Sequence, residues 1–333
     1  MKRFSLFLLI CLAACGGVSS SDGGTNDEFS LTDCEGLDEF QAPAGVSKWA
    51  YWIDAPQLDQ LAESDADLVV IDYSNDGSVD GEFTEDDLDV IHDAGKLAIA
   101  YFSIGEAEDY RFYWDAAWVD GDNQPTDEAP SWLYGENPEW EGNFKVKYWE
   151  DEWKNILFGD TDGDDKSYLD RIIDAGFDGV YLDIIDAYEY FTPDGESGVD
   201  RESAGNDMIE LVKEIADYAR ETRGEADFLV FPQNGVAVME ESDGCTFAEA
   251  INGVGSEDNF YFGDEDNNNE LDEEHTNEVT PYLDALVGAG KMVLAVDYLT
   301  DEDRIENFYE LAEEHGYLPY AAERALDQLY AQP

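Results

Sequence analysis

Seven short apolar runs in this chain end on polar side chains that could handle protons or hydroxyls. The endings are Asp54, Asp72, Ser103 with Glu106, Asp183 with Asp186, Gln233 with Asn234, Glu257 and Asp297. Carboxylates and carboxamides dominate, and histidine, cysteine and lysine are missing from the set. Two carboxyl groups, one protonated and one ionised, are the machinery of glycosidic-bond hydrolysis. Acyl transfer by a serine triad would need a G-x-S-x-G turn, which the chain lacks. The three histidines (His92, His275, His315) and the four cysteines are scattered, so no Cys/His zinc pattern forms and no metal is expected. No glycine-rich phosphate loop follows any run, which argues against a nucleotide cofactor, and none is expected.

The elements that must hold these residues alternate between two periodicities. Strands are predicted at 49–54, 68–74, 96–104, 179–184, 228–232, 251–255, 292–298 and 317–320. Helices are predicted at 56–64, 84–94, 166–175, 201–223, 280–287, 301–314 and 322–330, with Gly95, Gly176, Gly290 and Gly316 as stops. Near-continuous apolar strands between amphipathic helices imply a parallel sheet covered by helices. Eight such units predict an α/β fold of the (β/α)8 TIM-barrel type, whose chemistry gathers at the C-terminal strand ends. A doubly wound open sheet is the alternative. Between the third and fourth strands lies a long insertion with short helices expected near 110–119 and 151–158. It carries six of the eight tryptophans: Trp114, Trp118, Trp132, Trp140, Trp149 and Trp153. Most should form a small core, with one or two facing a ligand.

The first residues read as an export signal. Lys2 and Arg3 precede an apolar run that ends Leu12-Ala13-Ala14-Cys15, like a bacterial lipobox. Residues 1–14 are therefore expected to be a signal peptide and Cys15 a lipidated N-terminus. Residues 15–45 read as a flexible tether and 46–333 as the domain. The expected location is the cell envelope, lipid-anchored on the extracytoplasmic side, with the lipid as the only membrane contact. Outside the cytoplasm, Cys34 and Cys245 are expected to pair as a disulfide. The 81 Asp and Glu stand against 17 Lys and Arg, a formal charge of −64. Such a surface repels phosphate, which excludes nucleic acid as a partner. Acids dispersed along the whole chain suit an exported protein kept hydrated in salt, and they would also draw in a cationic ligand.

Four longer motifs carry a resemblance. They are Leu68-Val69-Val70-Ile71-Asp72-Tyr73-Ser74, the run from Ala100 through Tyr101, Ser103 and Glu106 to Arg111, Val146-Lys147-Tyr148-Trp149, and Gly176-Phe177-Asp178-Gly179-Val180-Tyr181-Leu182-Asp183. Over about residues 48–330 the chain resembles glycoside hydrolase family 114, which is similar to endo-α-1,4-polygalactosaminidases and adopts a TIM barrel. The resemblance implies a hydrolase of internal α-1,4 links in a galactosamine-containing, possibly cationic, polysaccharide. It implies Asp183 and Glu257 as the catalytic pair, Asp183 as nucleophile and Glu257 as acid/base if the mechanism is retaining. Substrate contacts are expected at Asp72, Tyr101, Glu106, Arg111, Trp149, Asp186, Gln233, Asn234 and Asp297. The other reading is an inactive surface polysaccharide-binding or matrix protein on the same fold. Residues 264–272 have an EF-hand-like spacing of oxygens without its glycine or final glutamate, and 160–164 form a second acidic turn. Both read as solvated loops.

Overall fold

Leu68 to Ile71 are buried on both faces of their strand, the signature of a parallel sheet with no water on either side. The computed structural model describes residues 29–159 and 166–333. Its strands are β1 (Trp49–Tyr51), β2 (Leu68–Asp72), β3 (Leu97–Ser103), β4 (Glu106–Glu108), β5 (Leu133–Glu136), β6 (Asn143–Val146), β7 (Gly179–Asp183), β8 (Leu229–Pro232), β9 (Gly253–Glu257), β10 (Met292–Tyr298) and β11 (Leu318–Ala322). Its α-helices are α1 (Leu58–Glu63), α2 (Glu85–Asp93), α3 (Asp151–Leu157), α4 (Tyr168–Asp174), α5 (Ala187–Phe191), α6 (Ala204–Asp217), α7 (Gly244–Ala250), α8 (Glu273–Gly288) and α9 (Glu302–His315).

Strands β1-β2-β3-β7-β8 form one parallel sheet and β9-β10-β11 another. A parallel bridge between Gln233 and Gly255 joins β8 to β9. At the other margin the Trp49 indole N–H donates to the Leu318 carbonyl at 2.8 Å, tying β1 to β11. Between these sheets lie Trp49, Tyr51, Tyr181 and Tyr320, with ring centroids 5.2–6.4 Å apart. Gly255 makes room for this layer, because a Cβ there would fall 1.9 Å from the Tyr181 hydroxyl.

Several expectations are corrected. Residues 29–45 are not a free tether. Leu31 is buried, the Arg220 guanidinium lies 3.7 Å from the Phe40 ring centroid, Lys291 Nζ donates to the Phe40 carbonyl at 2.6 Å, and Cys34 is disulfide-bonded to Cys245. Long-range partners order a segment that has no periodicity of its own. Residues 322–330 form no helix: the Leu326 carbonyl instead accepts the N–H groups of Ile53 and Asp54. That same diversion ends β1 at Tyr51 and turns Asp54 into solvent, away from the other strand ends. The expected helix 201–223 is α6 followed by a π-turn, Tyr218–Thr222, which aims Arg220 at the Phe228 and Ala250 carbonyls and the Asn252 side chain.

The segment between β3 and β7 holds an antiparallel sheet, β4-β6-β5, that periodicity did not reveal. Only a 3-10 turn, Ala116–Trp118, stands where a helix was expected near 110–119. Trp114, Trp118, Trp132 and Trp153 pack with Phe144 as a small core, at centroid distances of 4.6–5.3 Å. Trp140 and Trp149 are half-buried. In the loop 264–272, Asn268 Oδ1 accepts the N–H groups of Thr300 and Asp301, and Arg304 holds the backbone carbonyls of Asn268 and Asn269. Residues 1–14, Cys15 and the acidic turn 160–164 lie outside the described residues.

Candidate active site

Asp183 is the last residue of β7 and Glu257 the last of β9, with β8 between them. Both side chains are half-buried. Each carboxylate has one phenol and one further donor. The Tyr101 hydroxyl donates to Asp183 Oδ2 at 2.5 Å, and the Ile184 backbone N–H to Oδ1 at 2.8 Å. The Tyr298 hydroxyl donates to Glu257 Oε1, and Asn234 Nδ2 to Oε2 at 2.9 Å. Asn234 also accepts the Glu257 N–H at 3.0 Å, so one carboxamide fixes both ends of that residue. Asn234 adopts φ +58°, a left-handed conformation that asparagine tolerates.

Two carboxylates near each other at a partly buried site cannot both stay ionised without cost. Burial, and then the charge of Glu257, push the Asp183 carboxyl up to about 8. Burial and the same Glu257 charge raise Asp186, which the Lys145 ammonium opposes. Burial raises Tyr51, Tyr101, Tyr181 and Tyr298 far above their ordinary range, so these phenols stay neutral; Tyr51, Tyr101 and Tyr298 act as donors. The arrangement can hold one proton on a pair of carboxyl groups at neutral pH, which is what general acid catalysis beside an ionised partner requires.

The other expected contacts divide. Tyr101, Asp186, Gln233 and Asn234 gather at this site. Gln233 is buried and accepts from the Tyr51 hydroxyl at 3.2 Å. Asp297 does not face the cleft. It is wholly buried, and its oxygens accept the backbone N–H groups of Asn259, Phe260 and Tyr261, so it shapes the loop after β9. Arg111 and Asp72 likewise engage each other, at 2.7 and 2.9 Å, with Glu108 on the other side of the guanidinium at 2.6 Å. Against the cost of burial, these two acids keep Arg111 firmly charged. The Arg111 side chain is fully buried between these two acids. Glu106 is buried beneath Asn137 and Lys145. Trp149 lines a separate open cavity of about 680 Å³ with Lys147, Glu150 and Arg201.

Reasoning from the sequence missed Tyr298, Tyr51, Lys145 and Arg324. Tyr298 follows Asp297 directly, and strand alternation sends one of any such pair to each face. Arg324 pairs with Asp258 through both carboxylate oxygens, each at 2.8 Å, which turns Asp258 away from the role its neighbour Glu257 can fill.

A parallel α/β protein whose strand ends, one strand apart, present two hydrogen-bonded carboxyl groups, one kept protonated, has the makings of a glycoside hydrolase. A sequence model of glycoside-hydrolase family GH114 matches residues 35–333, and the chain belongs to that family. It is 41% identical over 290 residues to an uncharacterised protein of Methanocaldococcus jannaschii, covering 84% of this chain and 77% of that one. It is 40% identical over 286 residues to an uncharacterised protein of Thermotoga maritima, covering 84% and 81%. Among solved structures it is similar to the glycoside hydrolase domain of PelA from Pseudomonas aeruginosa, with a TM-score of 0.59 and 18% identity over 86% of this chain and 99% of that one. This last likeness is one of fold.

Proposed function

We propose that this protein is an exported, lipid-anchored endo-acting glycosidase that cleaves α-1,4 links of a galactosamine-containing polysaccharide. Its eight parallel strands would close as a (β/α)8 barrel, a reading supported by the Gln233–Gly255 bridge and the Trp49–Leu318 hydrogen bond at the two margins. The observation that carries the function is the convergence of Asp183 and Glu257, each gripped by a phenol and a second donor.

In the retaining form of this reading, the pair's one proton, which in the free protein rests on Asp183, passes to Glu257 as substrate binds; Asp183, now ionised, attacks the anomeric carbon, the glycosidic C–O bond breaks, and Glu257 gives the proton to the departing oxygen. Glu257, now ionised, then takes a proton from water, and the hydroxide formed releases the sugar from Asp183. The Tyr101 and Ile184 donors stabilise Asp183 when it is charged, and Asn234 with Tyr298 aims Glu257. The surplus of surface acids would concentrate a polymer of amino sugars near the cleft.

The test is incubation of the purified protein with partly deacetylated α-1,4-polygalactosamine. Wild type should release short oligosaccharides, and Asp183→Asn and Glu257→Gln should each lower turnover by at least about a hundredfold while still folding cooperatively. Azide should restore turnover of Asp183→Gly as a glycosyl azide if Asp183 is the nucleophile. Binding of the polymer without cleavage by wild type would favour a matrix protein. For the anchor, Cys15→Ser should shift the protein from the detergent phase to the aqueous phase, and unchanged partitioning would count against lipidation.

A further inference from the structure

Arg324 lies just beyond β11, in the segment where the sequence predicts a helix. Its backbone N–H donates to Asn267 Oδ1 at 3.0 Å and its Nε to the Asp266 carbonyl at 3.2 Å, which fix the guanidinium in place. Nη2 grips both oxygens of Asp258 at 2.8 Å. The guanidinium carbon stands 4.0 Å from the centroid of the Tyr298 ring. Nη1 is buried and has no hydrogen-bond partner in the structure. Tyr298 donates to Glu257, and Asp258 follows Glu257 in the chain. One cation thus reaches the proposed acid/base by two routes, through its phenol donor and through its charged neighbour.

We propose that Arg324 and Asp258 form a charge-balanced positioning pair that holds Tyr298 against Glu257 and sets the charge that faces the Asp183–Glu257 site. The inference rests on the two-carboxylate reading above. A cation over the ring face withdraws electron density and strengthens the Tyr298 hydroxyl as a donor to Glu257. The bidentate grip offsets the Asp258 charge, which would otherwise repel a charged Glu257 from the next residue. The groups that face Glu257 from β7 and the turn after it are Asp183, Tyr181 and Asp186. Tyr51 faces it from β1, Tyr298 from β10, and Asn234 from the end of β8. Asp183 and Asp186 lie on the β7 side; on the other stand Arg324 and Asp258, whose carboxyl burial pushes up to about 7 against the pull of the Arg324 charge.

The test is the pH profile of kcat/KM on the polymer used above. Asp258 sits at φ +51°, where asparagine is tolerated, so Asp258→Asn keeps the backbone and leaves the cation unbalanced. That variant should move the alkaline limb to lower pH by about one unit. The double variant Asp258→Asn, Arg324→Met should return it towards wild type. Arg324→Lys keeps the charge and should leave the limb within a few tenths of a unit while lowering kcat, and it serves the test if the asparagine variant misfolds. An alkaline limb common to wild type, the single variant and the double variant overturns the proposal, as does a Lys variant shifted as far as the asparagine one. Failure of wild type to cleave the polymer would overturn the functional reading and this inference with it. Turnover by wild type together with a limb that Asp258→Asn does not move would overturn this inference alone.

Discussion

Tyr101 on β3 and Asp183 on β7 stand on neighbouring strands, and the phenol of one meets the carboxylate of the other at 2.5 Å. Tyr101 is in register with Tyr181, so Asp183 projects from the same face one pleat further along. Burial, and then the Asp183 charge, keep the phenol protonated far above its ordinary range. The donor is therefore present throughout the neutral range.

The raised Asp183 carboxyl gives the proposed activity a pH dependence of defined direction. Burial and then the Glu257 charge hold the Asp183 carboxyl near about 8, far above its ordinary value of 3.8. The singly protonated pair is the working form, so kcat/KM should fall as pH rises through about 8. A group bound more tightly to its proton when folded adds stability below its unfolded value and loses it as pH rises through the folded one. Asp183→Asn should therefore raise the melting temperature above about pH 8 and change it little near about pH 4. Equal effects at both ends, read from thermal melts, would show that Asp183 is not held in this way.

Tyr101→Phe removes the hydrogen bond that steadies ionised Asp183. A hydrogen bond to a charged group is worth about 1.5–3 kcal/mol, so kcat should fall between about tenfold and about a hundredfold. Because the bond lowers the Asp183 value, its loss should move the alkaline limb to higher pH. An unchanged limb would mean that Tyr101 fills space and nothing more.

The Cys34–Cys245 bond spans 211 residues and closes the N-terminal segment onto α7. Replacing both cysteines by serine should lower stability by about 2–5 kcal/mol, measured by urea unfolding under oxidising conditions. Neither cysteine touches the carboxylate site, so turnover at low temperature should persist. Loss of activity without loss of stability would contradict that separation.

Net charge supplies the last prediction. Repulsion among the surface carboxylates of a chain at −64 is screened over about 8 Å at physiological ionic strength. The melting temperature should climb as salt rises to molar levels. A flat response would favour a role for the acids in attracting a cationic ligand over one in salt adaptation.

Strand ends were legible in the sequence because apolar runs of parallel strands stop where polar side chains begin. That local contrast located Asp183, Asp186, Gln233, Asn234 and Glu257, which do gather at one site. The motif around Gly176 to Asp183 carried the family, and the family was confirmed over residues 35–333. Apolar periodicity likewise placed most helices to within a few residues, since an amphipathic face is written in neighbouring residues. It failed at 322–330, where the backbone of Leu326 bonds to residues 53 and 54, far away in the chain. The same limit explains the rest. Whether a strand-end acid faces the cleft, as Asp183 does, or the core, as Asp297 does, depends on which donors the fold brings to it, and those donors lie on other elements. Arg324 and Asp258 are 66 residues apart, and only folding makes them a pair. Residue type and local pattern set the elements and the kind of chemistry available. Tertiary structure alone decided which carboxylates stand together at the strand ends and which serve as struts, because burial and long-range hydrogen bonds set their surroundings.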